Sequence, residues 1–186
     1  DPERLVSINE VIPKAAHIYP TLPVNLSHFY DWRKQSTTLE SMALLRSSTM
    51  NLTGVGEPAL LKSARVSANS FEVLGVRLQL GRTFMEAEDR AGQDRVVILS
   101  HSWWTQRFQA NPSVLGRKIV LDGSPYLVVG ILPPGFTFPV APSLGGVGVG
   151  EKAQLFKPLG FSDDDLRQRL GDLNWMCIAR LRQGVT

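Results

Sequence analysis

The chain has 186 residues, of which 43% are hydrophobic and 20% charged, which is typical of a globular protein of one domain or two small lobes. Its 20 basic and 17 acidic residues give a formal net charge of +3, and the bases are scattered along the sequence with acids between them. This pattern argues against a nucleic-acid-binding protein, which concentrates positive charge in a stripe with aromatic residues. No apolar run is long enough to cross a bilayer. The abrupt ends, DPERLV and RLRQGVT, lead us to expect a piece of a longer protein.

The first part of the chain contains strand and helix signals. Residues 4–12 alternate well enough between apolar and polar side chains to predict a strand that ends at Pro13. After an extended connector, residues 26–45 predict helix with Ser27 as the N-cap. A break just before Thr38 is expected to start the helix a second time.

The middle of the chain predicts strands separated by short helices. Residues 47–67 read as two strands joined by a glycine-containing turn. Residues 68–75 predict a short helix that ends at Gly75, because glycine readily adopts the left-handed conformation found at helix ends. Residues 96–100 predict a strand that leads directly into another helix.

The strongest local signal is a β-hairpin. Two β-rich runs within residues 117–132 flank Asp122 and Gly123, a pair that favours a two-residue turn. In that register Val120 lies opposite Pro125 in a non-hydrogen-bonded pair, where the missing N–H of proline removes no ladder bond. The Pro-Pro-Gly that follows ends the second strand.

The last part of the chain completes an α+β pattern. The glycine-rich residues 143–150 predict a flexible loop. A strand over residues 153–159, a capped short helix over 162–171 and a final strand over 174–182 follow. We therefore predict an α+β fold.

A serine–histidine–serine triplet, Ser100-His101-Ser102, is the first candidate for chemistry. A serine hydrolase needs the hydroxyl within hydrogen-bond reach of an imidazole that a third group holds. Adjacent side chains point in different directions, and no glycine flanks either serine as in a nucleophile elbow. The triplet fits better as a helix start, in which Ser100 or Ser102 is the N-cap.

The other polar clusters have structural explanations. Glu86, Glu88 and Asp89 lack the spacing of a calcium loop and predict a solvated turn. Residues 163–165, all aspartates, begin a predicted helix, whose dipole favours carboxylates there. The three histidines are isolated from one another and from the single cysteine, Cys177, which we expect to be a small buried hydrophobe. We expect neither a metal nor a cofactor in this chain.

In their order along the chain, four blocks resemble the periplasmic core domain of MacB-type ABC transporter permeases. They are NSFEVLGVRLQLGRTFMEAED, the run from VVILSHSWW to GFTFP, QLFKPL and IARLRQGVT. The long DWRKQSTTLESMA and PPGFTFP forms look most like the large orphan permeases of some soil bacteria. The family-signature positions, which we interpret as structural, are Phe71, Gly75, Gly81, Arg82, Phe84, Gly116, Arg117, Asp122, Gly123, Gly130 and Pro133.

The resemblance implies a fold of two lobes. Residues 1–47 and 172–186 would form a porter-like α+β lobe, and residues 48–171 an inserted β-rich lobe. The family continues past this chain with another helix and strand, so the first lobe is expected to be incomplete at its C-terminal side.

The resemblance also implies a non-catalytic part of a membrane machine. The domain would lie outside the cytoplasmic membrane, between the first two transmembrane helices of the parent permease. There it would couple their movement to export of a substrate or to a periplasmic partner. The implied partners are those helices, a cytoplasmic ATPase, a periplasmic adaptor and a second permease copy. ATP would bind a separate cytoplasmic subunit or domain.

Two other functions stay open from the residues. One is a serine hydrolase that uses Ser100 or Ser102. The other is a free-standing binding module of the periplasm, outside any permease.

Overall fold

The computed structural model describes residues 2–54, 56–138, 153–167 and 173–185. The predicted glycine-rich loop at residues 143–150 lies outside them. The described helices are α1 (Leu26–Gln35), α2 (Ser70–Val73), α3 (His101–Phe108) and α4 (Asp163–Arg167). The described strands are β1 (Leu5–Ile8), β2 (Val24–Asn25), β3 (Leu39–Thr53), β4 (Ala59–Val66), β5 (Leu80–Gly81), β6 (Val96–Leu99), β7 (Lys118–Leu121), β8 (Ser124–Ile131), β9 (Leu155–Pro158) and β10 (Leu173–Leu181).

These strands form one mixed sheet. Its order is β1-β10-β3-β4-β9-β6-β8-β5, with β2 beside β10 and β7 beside both β3 and β8. The β4–β9 and β6–β8 pairs are parallel. The first strand pairs with the last, so that Leu5 lies opposite Arg180. The two ends of the described chain therefore lie side by side at one end of the sheet.

The long strand β3 replaces the second half of the predicted first helix. Helix α1 ends at Gln35, and β3 begins at Leu39. The prediction of a second helical start at Thr38 was wrong. Residues 42–45 are each at most 2% exposed, a continuous buried run that is typical of a strand covered on both faces. Tertiary burial has therefore overridden an apolar spacing that also suits a helix.

The N-cap of α1 differs by two residues from the prediction. The Oδ1 atom of Asn25 accepts hydrogen bonds from the backbone N–H of Ser27 at 2.8 Å and from its hydroxyl at 2.7 Å. Ser27 is thus already inside the first turn, and the prediction that it caps the helix was wrong. Asparagine and serine are both strong N-cap residues, so their identity alone does not choose between them.

Three groups of buried side chains cover the two faces of the sheet. Along β3, alternate residues enter different groups, as the two-residue period of a strand requires. The shared core occupies one face along the sheet and includes Ala43, Leu45, Val66, Phe71, Ile98, Phe156 and Ile178. The terminal core on the other face includes Phe29, Met42, Leu44, Trp175 and Cys177, and the hairpin core includes Leu52, Leu99, Trp103, Trp104, Ile119 and Leu121.

Several local predictions are confirmed. Helix α2 ends in a Schellman motif in which Gly75 has φ +70° and the N–H of Val76 donates to the carbonyl of Phe71 at 2.8 Å. The hairpin places Val120 opposite Pro125. Its turn residues have φ values of +48° and +72°, as a two-residue type I′ turn requires. The boundary proposed between two lobes, at residues 47 and 48, falls inside β3, and the division stays a prediction.

Two glycines allow β5 to approach β8 closely. Gly81 lies opposite Gly130 in the strand pair and has φ +80°. A Cβ atom on Gly81 would collide with the carbonyl oxygen of Val129, and one on Gly130 would lie 2.7 Å from the carbonyl oxygen of Arg82. Both signature glycines are therefore required by backbone packing.

We expect Gly81→Ala to lower the free energy of unfolding by about 3 kcal/mol, because it combines left-handed strain with overlap against a backbone atom. Gly92→Ala is the matched control. Gly92 also has a positive φ, +85°, but a Cβ there would meet nothing within 4 Å, so only the conformational cost of about 1–2 kcal/mol applies. Urea unfolding of both variants measures the difference, and equal losses would contradict the packing explanation.

Candidate functional site

The serine–histidine triplet builds the start of α3. The Oγ atom of Ser100 accepts a hydrogen bond from the backbone N–H of Trp103 at 3.2 Å, which confirms it as the N-cap. The hydroxyl of Ser102 lies 3.3 Å from that of Ser100, and the ring of His101 packs edge-on against Trp104 at 5.6 Å. Among the described residues, neither serine hydroxyl is hydrogen-bonded to an imidazole. The geometry is that of a helix cap and lacks the hydroxyl–imidazole contact of a hydrolytic triad.

The acidic turn is built into the fold. The carboxylate of Glu88, which is 5% exposed, accepts hydrogen bonds from both terminal nitrogens of Arg82 at 2.6 and 3.0 Å. Asp89 accepts from the backbone N–H of Ala68 at 3.0 Å and from that of Leu159 at 3.1 Å. The prediction of a solvated turn was wrong for these two residues, although Glu86 is exposed. The buried carboxylate of Glu88 and the half-buried one of Asp89 are tolerated because each has fixed donors.

Asp89 joins two distant segments of the chain. It bridges the loop after β4 and the residue after β9 through one carboxylate. Burial raises the pKa of Asp89 above its ordinary value, and the two backbone donors partly offset that effect. Its position makes it a clamp between the sheet and the region around α2.

No group of histidine, cysteine and acidic side chains among the described residues could hold a metal ion. Cys177 is 1% exposed, and burial raises the pKa of its thiol to about 12. The first turn of α4 contains the three aspartates, and Asp165 exchanges hydrogen bonds with Ser162 in a reciprocal cap. The three aspartates therefore lie at the start of a helix, as the sequence predicts.

The signature residues fall into packing and turn positions. Phe71 is fully buried, and its ring centroid lies within 6.3 Å of those of Phe84, Phe136, Phe138 and Phe156. Gly116 has φ +78° just before β7, and Pro133 follows β8. Arg117 is exposed beside Gly116. These placements give structural roles to most of the set and leave the side chain of Arg117 facing solvent.

Strand β3 changes its neighbour at Leu45. This residue pairs with Met176 of β10 on one edge and with Val66 of β4 on the other. Before it, β10 runs alongside the strand, and after it β4 does. The backbone of Leu45 therefore connects the terminal half of the sheet to the half that carries the hairpin.

Polar side chains bond to β3 where a neighbouring strand is missing. Each supplies a hydrogen bond of 2.8 to 3.0 Å to a backbone group of the strand. The pairs are the N–H of Leu44 with Ser67 Oγ, the carbonyl of Met42 with Asn69 Nδ2, and the N–H of Asn51 with Asp122 Oδ1. These side chains supply hydrogen bonds to backbone groups of β3 that no neighbouring strand reaches.

Two arginines flank one tryptophan near Leu45, where β3 changes its neighbour. We call this point the crossover. Arg46 and Arg65 lie directly opposite each other on β3 and β4, a placement that is unfavourable for like charges. Their guanidinium carbons lie 5.6 and 5.5 Å from the ring of Trp175 of β10, within the range of cation–π attraction. Burial lowers the pKa of Arg65, and nearby carboxylates, chiefly that of Asp165, partly offset this.

This arginine–tryptophan cluster, Arg46, Arg65 and Trp175, links three strands at the crossover. Arg65 also lies over the ring of Phe161 and donates to the carbonyl of Leu159. Sequence reasoning missed the cluster. The available signal was an arginine inside the apolar strand LLKSARV, which needs a partner when it is buried. Its partners are distant in sequence, so only the register of β10 identifies them.

The family model of MacB-like periplasmic core domains matches residues 7–185. The chain belongs to this family. It is a periplasmic core domain of a MacB-like ABC transporter permease and lies outside the cytoplasmic membrane. No helix within the described part of this MacB-like domain is long and apolar enough to cross a membrane. A comparison with curated proteins found no match.

Two solved structures share the fold of this MacB-like domain. The periplasmic region of MacB from Actinobacillus actinomycetemcomitans superposes with a TM-score of 0.65 at 16% identity, covering 98% of this chain and 76% of that one. The extracellular domain of the ABC-type transporter YknZ from Gram-positive bacteria gives 0.62 at 15% identity, covering 97% and 84%. These superpositions confirm the predicted α+β fold, and the family-model match confirms the predicted family.

We expect Asp89→Asn to lower the free energy of unfolding by about 1–3 kcal/mol at neutral pH. The amide keeps one acceptor oxygen and turns an NH₂ group toward a backbone N–H, so one of the two clamped donors loses its partner. Glu86→Gln in the same turn is exposed and should change stability by less than about 0.5 kcal/mol. Chemical denaturation measures both variants. An unchanged free energy of unfolding for Asp89→Asn would show that the clamp contributes nothing to stability.

Proposed function

We propose that this domain carries movement of the permease's transmembrane helices to an exported substrate or to a periplasmic partner, without catalysing a reaction. The observation that supports this most is the position of the chain ends, which leave the sheet side by side through β1 and β10. Two membrane helices joined there would act on one end of the sheet.

The strand β3 offers a path away from that end. Its first residue, Leu39, pairs with Leu181 beside the chain ends, and its last, Thr53, pairs with Val120 of the hairpin. Its 15 residues extend over about 46 Å at about 3.3 Å per residue. The crossover at Leu45 is braced by the arginine–tryptophan cluster. A displacement of the sheet beside the chain ends would therefore move the hairpin with it, as part of one rigid body.

The same proposal includes an energy source and partners outside this domain. ATP would bind a separate cytoplasmic ATPase subunit or domain, and a periplasmic adaptor or a second permease copy would receive the movement. No cofactor is required of this chain, because transmitting displacement needs stiffness and contact surfaces.

A reversible disulfide tests whether the domain works as one stiff body. The hydroxyls of Ser48 and Ser63 lie 2.8 Å apart across β3 and β4, so cysteines at these positions are close enough to bond. In the parent permease, we expect Ser48→Cys/Ser63→Cys to transport equally well when oxidised and when reduced. Cys177 should not interfere, because its buried thiol stays protonated.

A proline in β3 provides the opposite perturbation. Ser48→Pro removes a backbone N–H and distorts the strand, so we expect ATP hydrolysis without transport. The control is His101→Pro, at the first position of α3, where proline is well accommodated. Loss of transport on oxidation of the cysteine pair, reversed by reduction, would show that β3 and β4 must move apart and would contradict the proposal.

A further inference from the structure

We infer that a basic pocket beside the hairpin binds a phosphate group. The pocket lies between the end of α3 and the start of β7 and has a volume of about 290 Å³, close to the lower limit of small-molecule sites. Three cationic side chains line it, those of Arg107, Arg117 and Lys118, and no carboxylate occurs among its lining residues. The pocket is therefore selective for anions by charge alone.

Two of these charges are not neutralised within the described part of the chain. Arg117 and Lys118 are exposed, and neither forms an ion pair with a described carboxylate. Arg107 is held in place by a hydrogen bond from its Nη2 atom to the carbonyl of Glu57 at 2.6 Å. Adjacent exposed cations at one concave site repel each other, and a bound dianion would relieve that repulsion. Arginine pairs also suit the oxygen geometry of phosphate.

The wall of the pocket is fixed before any ligand arrives. Gln109 and Ala110 have φ values of +53° and +54°, a conformation that costs energy for residues other than glycine. The indole of Trp104 holds this turn by donating to the carbonyl of Asn111 at 3.0 Å, and the side chain of Asn111 accepts from the N–H of Ser113 at 2.9 Å. Asn111 and Ser113 both line the pocket, and their side-chain NH₂ and hydroxyl groups are further hydrogen-bond donors.

The pocket lies at the far end of β3 from the chain ends. Lys118 precedes Val120, the residue that pairs with Thr53 at the end of β3. The phosphate could belong to a soluble compound or to a lipid headgroup, since both present anionic phosphate oxygens. Binding itself does not depend on the mechanical function proposed above.

The test is calorimetric titration of the chain with inorganic phosphate and with phenyl phosphate. We expect saturable binding that Arg117→Gln/Lys118→Gln weakens about tenfold or more; both residues are exposed, so folding is preserved. The matched control is Arg77→Gln/Lys62→Gln, which removes an exposed arginine and lysine elsewhere. It should change the affinity by less than about twofold, because distant exposed charges are screened.

Vesicles distinguish the two sources. Binding to phosphatidylcholine vesicles only when they contain phosphatidylglycerol, with displacement by inorganic phosphate, would assign the site to a lipid headgroup. Phosphate binding without vesicle binding would assign it to a soluble compound. The proposal is overturned if neither phosphate probe binds saturably, if both double variants weaken binding equally, or if phosphate fails to displace the vesicles.

Discussion

The structure depends on the need to hydrogen-bond both edges of β3. A strand with four successive residues almost fully buried cannot leave backbone groups unpaired, because each would cost about as much as a lost hydrogen bond. On one edge β3 pairs with β10 and then with the hairpin. On the other edge it bonds first to Ser67 and Asn69, just before α2, and then pairs with β4. Since β10 is the last described strand, β3 is completed only when the C-terminal part of the chain pairs with it.

The crossover at Leu45 concentrates the unusual electrostatics of the domain. Arg46 and Arg65 face each other across β3 and β4, yet both lie over one tryptophan of β10. Each cation–π contact contributes about 0.5–2 kcal/mol, which offsets the repulsion between the two charges. The cluster thereby links three strands at the point where the neighbour of β3 changes. Stiffness at this point is what a domain that transmits displacement requires.

The sequence predicted the features that depend on neighbours along the chain. The Asp122-Gly123 hairpin, the helix end at Gly75 and a cap at Ser100 or Ser102 follow from local turn and capping chemistry. All three are confirmed, and Ser100 is the residue that caps the helix. Residues 38–45 were assigned wrongly, because an apolar run buried on both faces does not distinguish a helix from a central strand. Asp89 and Arg65 were missed as structural residues because their partners are far away in sequence and are set by strand register. The family itself was recognised through an ordered series of such local motifs.

The most direct measurement is the distance across the crossover at Leu45 during the transport cycle. Spin labels at Ser7 and Thr53, both exposed, lie on opposite sides of the crossover at Leu45. Pulsed electron paramagnetic resonance of the labelled parent permease, with and without nucleotide, gives that distance. If the domain moves as one body, one narrow distance distribution is unchanged by nucleotide. A nucleotide-dependent shift or a second distance would show that the sheet bends at the crossover and would contradict this account.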